Sequence, residues 1–229
     1  MAQHTQLQAA DGHKLDAYIA QPTGEPKAGI VVLQEIFGIN THIRSVADRF
    51  AQAGYLVIAP ALFDRAERNV EMEYGPDGMK KGMDLVQQIP PEKTLADIDA
   101  AIQYLREHGA RKVGVVGFCW GGTMAWASNT RLHPDATVSY YAGGIQNYIH
   151  EKSSCPAIFH FGLQDKHIPQ SVVEQVQHEY PGYSVFTYDA DHGFNRDGSA
   201  TYNEAAAKLA MKRTLAHFDE YLVGSHSSV

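Results

Sequence analysis

Short apolar runs alternating with amphipathic segments constrain the fold of this chain more than any other feature. Residues 29–33, 55–59, 113–116, 137–141, 157–161 and 184–188 have strand length, and the first three runs are almost continuously apolar. A strand that is apolar at every position is buried on both faces, as in the centre of a parallel sheet. Residues 15–19 alternate instead, and are expected as an outer, antiparallel hairpin strand. Between the runs, Ile43, Val46, Ala47, Phe50 and Ala51 recur at helical spacing behind Thr41, which reads as the helix cap. Ile98, Ala101, Ile102 and Leu105 do the same over residues 97–106, and further helices are expected over 120–128, 171–178 and 202–222. This order predicts an α/β fold, a mostly parallel sheet with helices on both faces. A chain of 229 residues with 44% hydrophobic content suits one such domain over residues 1–229. Residues 64–91, with Gly75, Pro76, Gly78, Gly82 and the pair Pro90-Pro91, interrupt the rhythm. They read either as a partly helical cap segment or as a plain surface excursion.

Composition excludes several classes of function. A formal net charge of −7 argues against a nucleic-acid surface. Two cysteines, with no spaced Cys/His cluster and no HExxH, imply neither a disulfide framework nor a zinc site, so no metal is expected. The run Met1-Ala-Gln-His-Thr-Gln-Leu-Gln lacks the basic and apolar regions of a signal peptide, and no apolar run reaches membrane-spanning length. A soluble, cytoplasmic protein is expected, in a compartment where a reactive thiol stays reduced.

The strand ending Val115-Val116 leads into Gly117-Phe118-Cys119-Trp120-Gly121-Gly122. This is a Gly-x-nucleophile-x-Gly elbow of the α/β-hydrolase type, with cysteine at the apex where serine is usual. The glycines relieve crowding in a tight strand-to-helix turn. The helix that follows turns its positive end toward the thiol, favouring a thiolate and an oxyanion beside it. Two partners are expected downstream, acid before histidine. Asp165 lies in a loop just beyond the run 157–161, and His192 follows the run 184–188. In a parallel sheet such loops open on the same edge as the elbow, so Cys119, Asp165 and His192 can converge. Each has a bland alternative: inert core cysteine, turn-forming aspartate, histidine without a role. Cys155, before a proline at a strand start, fits the inert reading.

Gln34-Glu35-Ile36-Phe37-Gly38-Ile39-Asn40 follows the first apolar run, where an α/β-hydrolase places its second oxyanion amide. Ile36 is expected to supply that N–H and Trp120 the other. Glu35 is costly at a buried sheet edge unless paired or protonated. It reads either as a partner of the Cys119 thiol or as a structural carboxylate bonded to loop amides.

These segments, with Tyr140-Tyr141, Gly162-Leu163-Gln164-Asp165 and His192-Gly193-Phe194, resemble the dienelactone hydrolase (carboxymethylenebutenolidase-like) family over most of the chain. The resemblance implies an α/β-hydrolase fold and a Cys-His-Asp triad that opens an enol-lactone, with no cofactor. It also implies that Glu35 meets the resting thiol and, on substrate binding, shifts to deprotonate it. The family holds its substrate carboxylate with two arginines. Arg196 stands at the first place, four residues after His192; Met79 falls near the second, with Lys80 and Lys81 adjacent. A lysine there supplies a point charge without the bidentate fork. Phe37, Tyr74, Trp120, Tyr140 and Tyr141 are candidates for an apolar pocket or for simple packing. The expected partner is a small ester or lactone. The alternatives are a general small-ester carboxylesterase sharing all these residues, and a non-hydrolytic thiol binding or redox protein, against which the complete triad argues.

Overall fold

The computed structural model describes residues 2–223; Met1 and residues 224–229, the two ends of the expected domain, lie outside the described residues. The chain falls into two compact units, Met1–Val115 and Val116–Val229.

In the first unit, β1 (Ala2–Gln8) and β2 (Lys14–Ala20) form an antiparallel hairpin, and β2 also pairs antiparallel with β4 (Leu56–Pro60). β4 in turn runs parallel to β3 (Gly29–Leu33). The alternating segment 15–19 is therefore not the outer strand, because β1 lies beyond it. β1 is nearly all polar, with Leu7 its buried anchor, and so carries little hydrophobic signal. β3 and β4 are buried at every position, as continuous apolar strands must be when both faces are covered. The covering helices are α1 (Thr41–Gln52) and α3 (Pro91–Glu107), both packed on β3 and β4. α1 buries the predicted Ile43, Val46, Ala47, Phe50 and Ala51. Its cap is Asn40 rather than Thr41: the Asn40 amide oxygen accepts the Ile43 N–H at 3.1 Å. α3 starts earlier than the periodicity predicts, because Pro91 suits a first helical position. Between β4 and α3 lie a 3₁₀ turn (Leu62–Arg65) and α2 (Pro76–Gln88), so the segment over residues 64–91 is partly helical.

β5 (Val113–Phe118) passes from the first unit into the second. There α4 (Trp120–Leu132), β6 (Ala136–Tyr140), β7 (Ala157–Gly162), α5 (Gln170–Glu179), β8 (Ser184–Tyr188) and α6 (Glu204–Phe218) follow in βα rhythm. β6, β7 and β8 are parallel neighbours in that order, with Tyr140 opposite His160 and Gly162 opposite Tyr188. β6 and β7 are wholly buried, while β8 is partly open, as suits an edge strand. α6 lies on β6 and β7. The architecture is the expected one, a mostly parallel sheet flanked by helices on both faces. Among the described residues no helix is long and apolar enough to cross a membrane.

Candidate active site

The turn from β5 into α4 puts Cys119 in a backbone conformation that few side chains adopt, with φ 58° and ψ −121°. Its neighbours explain why the turn needs glycine. A Cβ on Gly117 would lie 1.8 Å from the Gly121 carbonyl oxygen, and one on Gly122 would lie 2.6 Å from the Tyr140 carbonyl oxygen. The Cys119 N–H donates to that same Tyr140 carbonyl at 3.0 Å, fastening the apex to the end of β6. The Cys119 side chain caps no amide of α4. It stands at the helix N-terminus, where the aligned peptide dipoles favour negative charge.

Asp165 and His192 reach the thiol from the ends of β7 and β8. The two loops are stitched together: Leu163 N–H donates to the Tyr188 carbonyl at 2.8 Å, and Gln164 N–H to the Ala190 carbonyl at 2.9 Å. Gly162 permits this, since a Cβ there would lie 2.4 Å from the Ala190 oxygen. His192 Nδ1 is 2.6 Å from Asp165 Oδ2, and its Nε2 is 3.2 Å from Cys119 Sγ. Asp165 Oδ1 accepts the His167 N–H at 2.8 Å. A carboxylate only accepts, so Nδ1 carries a proton and Nε2 faces the sulfur. Burial alone would lower the His192 pKa, but the hydrogen bonds to Asp165 and Cys119 outweigh it and raise the value to about 10. An imidazolium is thereby favoured beside the sulfur. Cys155 is different: burial pushes its thiol up to about 12, which leaves it inert near neutrality.

Comparison with known proteins matches the dienelactone hydrolase family model to residues 15–222. The chain belongs to the dienelactone hydrolase family. A putative carboxymethylenebutenolidase of Synechocystis is 34% identical, the match covering 91% of this chain and 93% of the relative. The carboxymethylenebutenolidase of Pseudomonas putida is 31% identical, covering 91% and 92%. The crystal structure of a putative dienelactone hydrolase from Klebsiella pneumoniae superimposes with a TM-score of 0.84 at 30% identity, covering 96% of this chain and 100% of that one. The fold is therefore that of an α/β-hydrolase, and by family the protein is a carboxylic ester hydrolase.

The remaining expected residues fall in two groups. In the first unit, Glu35, Ile36 and Phe37 are buried in the turn after β3. The following segment clasps that turn: Met72 N–H donates to the Phe37 carbonyl at 3.0 Å, Gly38 bridges to Glu71, and Gly82 of α2 lies against Ile36. Tyr74 packs edge-on against Phe37 at 4.9 Å, and its hydroxyl accepts from Asn40 Nδ2 at 3.3 Å. Tyr74 and Lys81 line a surface cleft of about 430 Å³ with Met72 and Pro76. Lys80 is exposed, and Lys81 pairs with Glu67 at 2.8 Å. In the second unit, Tyr140 lies in the core with its hydroxyl 2.9 Å from Thr214 Oγ1. The Tyr141 ring is 5.0 Å from that of His192. Arg196 is mostly buried, its guanidinium filling the space a Gly193 side chain would take. Sequence reasoning missed His167, whose N–H closes an Asx turn on Asp165 and whose ring sits 5.1 Å from that of His192. The available signal was its place two residues after an aspartate in a loop.

Proposed function

We propose that the protein hydrolyses a small carboxylic ester or lactone through Cys119, His192 and Asp165. The line of contacts from Cys119 Sγ through His192 to a buried Asp165, on a strained apex, supports this reading. The His192 imidazolium stabilises the Cys119 thiolate, which attacks the ester carbonyl carbon. The Trp120 N–H, at the start of α4, receives the oxyanion; Ile36 is assigned the second N–H on the family resemblance. Such a donor is worth roughly 3–4 kcal/mol in the transition state. Collapse of the tetrahedral intermediate breaks the C–O bond, and the imidazolium protonates the departing oxygen. Neutral His192 then takes a proton from water, whose oxygen attacks the thioester and regenerates the thiol, while Asp165 holds the ring in register. For a lactone the departing oxygen remains tethered, and the product is the opened hydroxy or keto acid. Glu35 is assigned a share in deprotonating the resting thiol, again on the resemblance.

The substrate class we favour is a carboxylate-bearing lactone, as the names of the relatives suggest. Arg196, with Lys80 and Lys81, is the proposed carboxylate grip, and Phe37, Tyr74, Tyr140 and Tyr141 the apolar surroundings. One observation favours a neutral ester instead: the Lys81 charge is already matched by Glu67. The test is hydrolysis of a cis-dienelactone beside p-nitrophenyl acetate, before and after thiol alkylation, in the native chain and in Cys119→Ala and Arg196→Ala. Both activities are expected to vanish with Cys119, and Arg196→Ala to raise KM for the dienelactone far more than for the neutral ester. Full turnover by Cys119→Ala overturns the nucleophile. Turnover of the neutral ester alone discards the lactone and keeps the chemistry.

A further inference from the structure

A chain of buried polar side chains runs beneath the elbow. His160 Nδ1 is 2.8 Å from the Tyr188 hydroxyl, and its Nε2 is 2.9 Å from Thr214 Oγ1. Thr214 Oγ1 is also 2.9 Å from the Tyr140 hydroxyl. At the far end Arg213 donates to the Tyr188 hydroxyl at 3.1 Å. His160 and Thr214 are completely buried, and Tyr140 and Tyr188 nearly so. Burial, with the nearby Arg213 charge, lowers the His160 pKa to about 3, so its ring is neutral and offers one donor and one acceptor. Arginine can only donate, so the Tyr188 hydroxyl accepts from Arg213. The tautomer of His160 sets the direction of the links from Tyr188 through Thr214 to Tyr140.

The same residues hold the loops of the candidate site through their backbone carbonyls. The Tyr140 carbonyl takes the Cys119 N–H, the His160 carbonyl takes the Tyr141 N–H at 2.7 Å, and the Tyr188 carbonyl takes those of Leu163 and Ala190. Tyr140 and Tyr188 are the last residues of their strands, and His160 lies near the end of its own. Stability alone does not call for this arrangement, since apolar side chains of the same shape pack a core as well as a satisfied network does. A satisfied network also fixes a unique geometry, which apolar packing does less well.

We propose that the Tyr188–His160–Thr214–Tyr140 chain is a positioning device that keeps the ends of β6, β7 and β8 in one mutual register, and with them Cys119, Asp165 and His192. This rests on the reaction proposed above, and it assigns His160, Tyr188 and Thr214 as positioning residues that touch no substrate, with Tyr140, also placed in the apolar surroundings of the substrate, linking them to the Cys119 turn.

The test uses the full chain with Thr214→Val, Thr214→Ser and Tyr188→Phe. It reads kcat and KM on p-nitrophenyl acetate, the pH profile of Cys119 alkylation by iodoacetamide, and Tm. Thr214→Val and Tyr188→Phe are expected to lower kcat on the order of 10- to 100-fold with KM changed less than about twofold, as a small misplacement of reacting groups does. They are also expected to displace the alkylation profile, and Thr214→Ser to recover both. Tyr188→Phe keeps the test open if Thr214→Val fails to fold. Native kcat and a native alkylation profile in the folded variants, with Tm alone lowered, overturn the proposal. Hydrolysis that survives Cys119→Ala sinks the reaction instead, and the device then stands or falls on the alkylation profile.

Discussion

Both oxygens of the Asp165 carboxylate are committed, one to the His167 N–H and one to His192 Nδ1. That commitment makes Asp165→Asn a sharp probe. The His167 N–H keeps the amide oxygen, so the new NH₂ faces Nδ1 and forces it to accept. The neutral ring left after the departing oxygen is protonated then carries its proton on Nε2, so no basic nitrogen faces the water that must attack the thioester. We expect kcat for ester hydrolysis to fall on the order of 10³–10⁴-fold with the fold intact, as the wrong histidine tautomer does in serine triads. Steady-state kinetics beside circular dichroism checks this; a loss below tenfold would make Asp165 a turn residue. The convergence of Cys119, Asp165 and His192 was legible in the sequence, because each follows a strand-like run and their order matches hydrolase topology. Asn40 was not, since two adjacent residues, Asn40 and Thr41, each offer a capping oxygen and the backbone chooses between them. Nor was the His160 network. It depends on which residues of β6, β7 and β8 stand opposite one another, and on where α6 lays Thr214, and no local pattern encodes either.

At the scale of elements, the glycines of α2 carry the same lesson. Gly78 and Gly82 fall in the segment that reads either as a partly helical cap or as a surface excursion, and glycine weakens a helix by about 0.5–1 kcal/mol relative to alanine. In the structure they lie inside the helix, where a neighbouring backbone leaves no room for a side chain. A Cβ on Gly78 would lie 2.3 Å from the Glu73 carbonyl oxygen, and one on Gly82 would lie 2.2 Å from that of Ile36. α2 is thus seated directly on the turn that holds the proposed oxyanion amide. Gly82→Ala gains helix propensity but must push α2 off this seat, and overpacking of this kind costs roughly 1–3 kcal/mol. We expect Tm to fall and kcat to fall with it as the Ile36 turn shifts. Thermal unfolding and kcat of the variant decide the matter, and a raised Tm would mean the seat yields freely. β1 was illegible for the converse reason: its stability comes from pairing with β2 rather than from apolar periodicity.

For the whole molecule, the buried histidines pull stability in opposite directions with pH. His160 and His217 are held neutral, chiefly by burial, with values lowered to about 3 and about 4. Below their ordinary value near 6.5 the unfolded chain binds protons that the folded one refuses. Their contribution is therefore complete above pH 6.5 and lost as pH falls through that range toward 4 and 3. His192 behaves oppositely. Its folded value, about 10, lies above the unfolded one, so its contribution is complete below pH 6.5 and lost as pH rises toward 10. The Cys155 thiol, raised to about 12 by burial, adds to that alkaline loss above the ordinary thiol range. Tm is accordingly expected to peak near neutral pH and to fall on both sides. His217→Gln, which removes this titrating group, should flatten the acid limb and leave the alkaline limb unchanged. Asp165→Asn should do the reverse, since it removes the charge that holds the proton on His192. Thermal melts from pH 4 to 10 on the three proteins separate these effects. A variant that moved both limbs alike would show that the two groups do not titrate independently, whereas an unmoved acid limb in His217→Gln would show that the acid sensitivity arises elsewhere in the fold.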